Sequence, residues 1–499
     1  MAKKRAGLVS ELERKGLSWV ERAPGAPYFQ TEEGQAWHPI GQNDAVSWEE
    51  LRPLYRRRDV WIVEDYLQYL QRHGVTVMRL MLEYAQVRGR YFESAAGRWS
   101  PGMVAYWDDL FALCERYEIR VLLTPFDTFW MWIRFKHHPY NKRLGGPLEH
   151  PSQALLCLET REAIKARLRF VAERWGGSGV IFAWDVWNEI HPAQGGMSAE
   201  PFVGFIEELS ATIKETEMRV HGRAHLQTVS LFGPELKHKP EMEMEAAIFR
   251  HPALDFATVH VYEHGTIDDP RNTVDAAVGM GRVVRESIGE IEDDRPFLDT
   301  EHGPIHAYKD KRITLPEAFD DEYFRHIQWA HLASGGAGGG MRWPNRSPHT
   351  LTDGMRAAQL AMSRFMPNIN WLRFNRKNVS NELEVRAGGR LVKRKVARFG
   401  CISPDQAILY LLRRDALAPD GRLNRDAAAL DISLRVPGLV EGTWRVCVWD
   451  TVRGTTMSNS TEYLQANGPL NLPKLVGDYA VALQLVHEQM PQQAGSGSA

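Results

Sequence analysis

Two glutamates carry the clearest chemistry in the chain. Glu189, in FAWDVWNEIHP, and Glu301, in FLDTEHGP, each stand at the carboxyl end of a short β-rich run. Alone, such a residue reads as part of a solvated rim. As a facing pair, two carboxylates can flank one bond, the first protonating the leaving oxygen while the second attacks or activates water, which is what cleavage of a glycosidic bond requires. Whether they face depends on the elements that position them.

Eight β-rich runs recur between helical segments: 38–42, 75–82, 119–124, 180–187, 226–232, 256–262, 296–300 and 338–343. The helices between them show the expected period. Val63, Tyr66, Leu67 and Leu70 form one apolar stripe, Val104, Trp107, Phe111 and Cys114 another, and Ile164, Leu168, Val171 and Trp175 a third. Eight strands alternating with helices predict an α/β chain folded as a (β/α)8 TIM barrel. A doubly wound open sheet allows the same alternation, but no GxGxxG follows the first run. In a barrel, reactive side chains stand at the carboxyl ends of strands, and the fourth and seventh strands face each other across the mouth. That places Glu189 opposite Glu301.

Ahead of the first run, Tyr28 to Trp37 reads as a hairpin about a Glu-Gly turn, expected to plug the barrel bottom. Beyond about Pro367 the helical period gives way to alternating runs at 383–386, 407–412, 429–436, 443–449 and 480–486, punctuated by Gly388-Gly389, Pro419-Asp420-Gly421 and Gly442. The expected organisation is a barrel with its hairpin over 1–367, a C-terminal β-sandwich over 368–490 and a flexible tail over 491–499.

The chain has 499 residues, with 61 Lys+Arg against 63 Asp+Glu, 43% hydrophobic and 25% charged residues. That is an ordinary globular composition without the basic excess of a phosphate-backbone binder, so no nucleic-acid partner is expected. No stretch approaches the roughly 18 apolar residues of a membrane span. The start, MAKKRAGLVSELERKG, lacks an apolar signal core, so a cytoplasmic location is expected for the chain as written, and secretion for one preceded by a leader. Four cysteines, Cys114, Cys157, Cys401 and Cys447, show no metal-ligand spacing and read as free buried thiols.

Trp187-Asn188-Glu189 with Glu301 resembles clan A of the retaining glycoside hydrolases, and the barrel as a whole resembles family 5, the cellulase and mannanase group. His38-Pro-Ile-Gly-Gln-Asn43 resembles the first strand of that family, and Gly74 to Arg79 the second, with its arginine beneath the nucleophile. His260-Val261-Tyr262 resembles the family's His-x-Tyr pair and Trp343 its sugar-stacking tryptophan. Pro139-Tyr140-Asn141 with Gly145-Gly146, and Arg174-Trp175-Gly176, resemble mannanase-like members. The likeness covers about residues 28–367. It departs at DTEHG, where an apolar residue followed by Glu, Phe and Gly is commoner, and after Glu189, where Pro often follows at once.

The resemblance implies Glu189 as general acid and then base, and Glu301 as nucleophile, ionised by Arg79 and a hydrogen bond from Tyr262. It implies Asn188 on the sugar 2-hydroxyl, His260 on a hydroxyl or orienting Glu301, Trp343 beneath the sugar, and Asn43 among the substrate contacts. Trp130 and Trp132, in the loop after the third strand, are candidate subsite walls. A retaining mechanism would set the carboxyls roughly 5 to 5.5 Å apart.

Each supporting residue has a plainer reading: Arg79 pairing Glu83, His260 and Tyr262 as core polar residues, and Trp19, Trp61, Trp99, Trp107 and Trp175 as packing. The histidines suggest a metallohydrolase only weakly. His260 and His264 are spaced HxxxH and His137-His138 are adjacent, but only His38 lies near the first strand, so no metal or cofactor is expected and His302 reads as a loop residue near the sugar. A mannanase- or β-mannosidase-like specificity is the first expectation and a β-glucan or β-galactoside specificity the second. A non-catalytic carbohydrate-binding barrel is the reading from another class, disfavoured because both glutamates are present.

Overall fold

The computed structural model describes residues 16–56, 59–84, 91–191, 198–233, 240–305, 314–346 and 348–486. The expected tail over 491–499 lies outside them. The chain opens with a three-stranded antiparallel sheet of β1 (Val20–Arg22), β2 (Phe29–Thr31) and β3 (Ala36–Trp37). Phe29 and Trp37 project from it onto Phe182 at centroid distances of 5.0 and 4.6 Å, and Phe29 meets Phe256 at 5.5 Å. Phe182 and Phe256 lie near the amino ends of parallel strands, so the hairpin seals that end with aromatic rings.

Those strands are β4 (Gly41–Asp44), β5 (Val77–Met81), then, after the short hairpin of β6 (Glu93–Ala95) and β7 (Arg98–Trp99), β8 (Arg120–Thr124), β9 (Ile181–Asp185), β10 (Leu226–Thr228), β11 (Leu231–Phe232), β12 (Ala257–Val261) and β13 (Phe297–His302). They form parallel arrays in the order β10-β9-β8-β5-β4 and β11-β12-β13. The run expected as one fifth strand is therefore split at Val229-Ser230, where the Ser230 side chain is spent on the ends of neighbouring strands. The eighth expected strand does not form as a strand. Gly335, Gly338 and Gly340 take φ of 109°, 77° and 76°, a backbone that cannot continue a ladder. Arg342 nevertheless bridges Gln42 on one side and His302 on the other, both in parallel sense. Its carbonyl accepts the Asn43 N–H at 2.9 Å, and Trp343 N–H donates to His302 O at 2.8 Å.

Helices alternate with the strands: α1 (Val60–Arg72), α2 (Pro101–Arg116), α3 (Thr128–Arg134), α4 (Leu158–Trp175), α5 (Glu200–His221), α6 (Met244–Phe249), α7 (Thr273–Gly289), α8 (Glu317–Ala333) and α9 (Asp353–Phe365). Their apolar stripes bury as the periodicity predicts: Val63, Leu67 and Leu70 on α1, and Ile164, Leu168, Val171 and Trp175 on α4. Trp61 is the exception among the tryptophans assigned to packing. It stands on the outer face of α1 and is 60% exposed. Cys157 is half-buried at the start of α4, unlike the three buried thiols. Among the described residues no helix is long and apolar enough to cross a membrane.

The C-terminal segment builds two antiparallel sheets. One has the order β14 (Lys377–Asn378), β17 (Val396–Ser403), β18 (Gln406–Arg413), β23 (Asp478–Leu485), β20 (Gly442–Asp450), β21 (Thr455–Leu464); the other has β16 (Arg390–Leu391), β15 (Glu384–Ala387), β19 (Ile432–Arg435), β22 (Pro469–Asn471). The larger sheet is covered on both faces. Leu409, Leu411 and Val481 share a core with Val385, Leu434 and Leu470 of the smaller sheet. From the other face, Tyr410 stacks on Trp329 of α8 at 6.2 Å and Trp449 meets Phe365 of α9 at 5.8 Å. β18 is accordingly an almost unbroken apolar run, buried along its whole length.

Candidate active site

Arg79 organises the carboxyl ends of the parallel strands. It leaves the middle of β5 fully buried, and its guanidinium needs acceptors at that depth. Nη2 and Nε donate to Asp185 Oδ2 at 2.7 and 3.2 Å, and Nη1 to Glu301 Oε2 and Asn43 Oδ1, both at 2.9 Å. Nη2 also donates to Asn188 Oδ1. The alternative partner, Glu83, is taken by Arg167 at 3.1 Å.

Glu301 accepts from Arg79 on one oxygen and from the Tyr262 hydroxyl on the other, at 2.5 Å. Its orientation comes from an irregular register. Val259 pairs with Asp299 but His260 pairs with Glu301, so Thr300 is an extra residue on β13, a bulge that re-aims the next side chain. Asp299 pins the bulge, Oδ1 accepting the Glu301 N–H at 3.1 Å and Oδ2 bonding His302 Nδ1 at 2.6 Å. His302 is therefore a buried strand residue behind Glu301 and not a loop residue beside the sugar.

Glu189 follows β9 in the left-handed region, φ 50°, uncommon for a residue with a Cβ. Its N–H donates to Ser230 Oγ at 3.2 Å. Its carboxylate meets His260 Nδ1 at 2.8 Å, and the same nitrogen lies 3.6 Å from Glu301 Oε2. Expected on a sugar hydroxyl or on Glu301, His260 instead has Glu189 as its nearer partner and Glu301 as the farther. One oxygen of each glutamate and a ring nitrogen of His260 all lie within 4.8 Å of one another. Among the described residues this is the grouping whose donors could converge on a cation, but the Arg79 guanidinium already occupies one Glu301 oxygen, and a metal there would sit against it.

Burial raises both carboxyls, and their environments separate them. Glu189 is pushed well above the usual range by burial, by the charge of Glu301 and by Asp127. Glu301 is raised to about 7 by burial, with Arg79 and the Tyr262 hydroxyl pulling it back. Burial and the Arg79 charge hold His260 well below its ordinary value, hence neutral. Glu301 thus ionises first and Glu189 keeps a proton. That division lets one carboxyl act as an acid while the other attacks.

Above the pair opens a cavity of about 780 Å³. Glu189, Glu301, Asn188 and Tyr262 are at its floor, and Trp343, Trp130 and Trp132 are on its walls. Arg79, His260 and Asn43, expected to touch substrate, do not line it. They lie buried beneath the carboxylates, and Asn43 spends its amide on Thr300 O at 2.9 Å. Asn188 faces the cavity, yet both ends of its amide are engaged, the oxygen by Arg79 and the nitrogen by Asp127.

Three acceptors went unread in the sequence. Asp185 is the one charged residue inside VIFAWDVW, which was itself a signal that a buried cation needed it. Asp127 caps α3, accepting from Trp130 N at 2.6 Å, and the pattern of an aspartate before a helix was readable. Ser230 left no mark. Trp48 and Tyr84 were also missed. Trp48 lies edge-on to Trp343 at 5.2 Å, and Tyr84 packs between Trp343 at 5.3 Å and Trp130 at 5.1 Å, joining Trp343 and Trp130 into one aromatic wall.

No family model matches the chain, and no curated protein sequence does. Its likenesses are to solved structures. A glycoside hydrolase matches over 94% of this chain and 97% of its own at 14% identity and a TM-score of 0.58. A family 5 glycoside hydrolase from Bacteroides vulgatus matches over 94% and 93% at 11% identity and a TM-score of 0.57. The fold is that of family 5 glycoside hydrolases. A family 5 mannosidase from Rhizomucor miehei shares it over 66% of this chain and 86% of its own, at 16% identity and a TM-score of 0.50. The two longer matches, at 94% of this chain, take in the C-terminal sheets as well as the parallel strands.

Proposed function

We propose that the protein is a retaining O-glycoside hydrolase acting on β-linked sugars by double displacement, in a (β/α)8 barrel spanning 1–367 with an accessory β-sandwich over 368–490. The observation that carries this is the carboxylate pair itself: oxygens of Glu189 and Glu301 within 4.8 Å, below an aromatic cavity. An inverting pair holds its carboxyl groups roughly 6.5 Å or more apart to admit a water, and the close approach of one oxygen from each glutamate supports the retaining reading. Glu301, the more readily ionised, attacks the anomeric carbon. Glu189 gives its proton to the leaving oxygen and then takes one from the water that releases the sugar. Neutral His260 holds the Glu189 carboxyl through Nδ1 in both states, accepting from its O–H or donating to its anion according to the tautomer. Trp343 and its aromatic neighbours supply flat apolar faces for the C–H faces of sugar rings.

A mannanase- or β-mannosidase-like specificity is the first choice, supported by the motif resemblance and by the mannosidase among the structural neighbours. The test is a hydrolysis screen of aryl β-mannosides, glucosides and galactosides, with Glu301→Ala as the blank and azide added to that variant. The expected result is turnover lost in Glu301→Ala and restored by azide with inverted product, because a small anion fills the vacated face. Full activity in Glu301→Ala overturns the assignment.

A further inference from the structure

The cavity that holds three carboxylates, Asp127, Glu189 and Glu301, has a single Arg or Lys on its wall among the described residues, Arg134 at the end of α3. Its guanidinium lies over the Trp130 ring, 5.6 Å from the centroid. Its Nε–H is buried and finds no acceptor among the described residues, and it makes no ion pair there. Contact with an indole face does not use the guanidinium N–H groups, and Arg134 as a whole is only half-buried where it lines the cavity. The fully buried Arg79, Arg167 and Arg342 each hold an ion pair, with Asp185, Glu93 and Asp320 in turn, whereas half-buried Arg134 holds none among the described residues.

The chain beyond Arg134 continues the same charge. RFKHHPYNKR, residues 134–143, holds four Arg or Lys and no acid. Phe135, Lys136, Asn141, Lys142, Arg143 and one acid, Glu149, line a second concavity of about 670 Å³, its first residue following Arg134 in sequence. Lys142 is paired with Glu149 at 2.5 Å, whereas Lys136 and Arg143 make no ion pair among the described residues. A neutral sugar can accept hydrogen bonds from these groups but leaves their charge unbalanced. A sugar bearing an anion meets repulsion from Asp127 and the ionised Glu301 unless a cation receives it.

Resting on the glycosidase reading, and refining its mannan-like first choice, we infer that the β-linked oligosaccharide it takes is a substituted one, carrying a carboxylate or a sulfate ester that Arg134 receives, with Lys136 and Arg143 extending the positive charge along the chain. Charge-assisted pairs of this kind change affinity by about tenfold or more.

Binding tests it without turnover. S-linked glycosides, which resist hydrolysis, are titrated into the full-length protein by calorimetry as three matched probes: a neutral oligosaccharide, its uronic acid counterpart and its sulfated counterpart. An acidic probe should bind about tenfold or more tightly than the neutral one, and which of the two does so names the anion. Arg134→Gln should collapse that ratio, Arg134→Lys should restore part of it, and added NaCl should weaken acidic binding selectively, less steeply in Lys136→Gln/Arg143→Gln. The neutral probe in each variant is the internal control for folding. Equal affinities for all three probes, or an acidic preference that persists in Arg134→Gln, overturn the inference. Cleavage of neutral O-glycosides with no acidic preference would leave the glycosidase standing without it; tight acidic binding with no cleavage would leave this subsite and remove the glycosidase.

Discussion

Ser230 holds Glu189 in a backbone conformation that Glu189 would not choose alone. The Ser230 Oγ accepts the Glu189 N–H at 3.2 Å, donates to Asp185 Oδ2 at 3.0 Å and is fully buried. Left-handed φ in a non-glycine residue costs of order 1 kcal/mol and persists where surroundings enforce it. Ser230→Ala removes that enforcement and one bond to the anion that balances Arg79. The expected outcome is a stability loss of about 1 to 2 kcal/mol in urea denaturation. A larger effect is expected on kcat/KM, about tenfold to a hundredfold, because the acid moves relative to the leaving oxygen. A variant with wild-type kcat/KM would show that Ser230 does not set the position of Glu189.

The opposite fates of the two carboxyls set a pH profile. Activity needs Glu301 ionised and Glu189 protonated. Glu301 is raised to about 7, so activity falls as pH drops through neutrality. Glu189 is raised well above the ordinary carboxyl range, so activity falls again only as pH rises beyond that. The profile of kcat/KM on an activated aryl glycoside should be a bell whose two limbs belong to the coupled pair. Tyr262→Phe removes a hydrogen bond that favours the Glu301 anion, so its acid limb should move to higher pH, with activity lost most in the acid range. An unmoved acid limb would mean that Tyr262 does not tune Glu301.

The sequence was legible where burial imposes a period. Helical stripes and alternating strands announced the parallel sheet, strand ends announced Glu189 and Glu301, and the family resemblance pointed to Arg79, His260 and Tyr262. It was illegible where a backbone does the positioning. The Thr300 bulge, the left-handed Glu189 and the glycines that replace an eighth strand with a bridge at Arg342 leave no hydropathy signal. β21 escaped for a different reason: TTMSNSTEYL is an exposed sheet edge and needs no apolar alternation. Arg79 and His260 were found but placed too high, because a strand residue's face is readable whereas its depth below a cavity floor is not.

The aromatic seal at the amino ends of the strands offers a test that separates stability from chemistry. Phe29 is fully buried among Phe182, Phe256 and Trp37, at centroid distances of 5.0, 5.5 and 6.1 Å. Phe29→Ala leaves a void there, at a cost of about 3 to 5 kcal/mol. The carboxylates stand at the other ends of the same strands, past β9 and at the end of β13, so the ladders between should hold their spacing. The expected outcome is a large drop in denaturation midpoint with kcat per folded molecule within about twofold of wild type. A comparable loss in kcat, measured where the variant is still folded, would show that the seal also sets the geometry of the mouth.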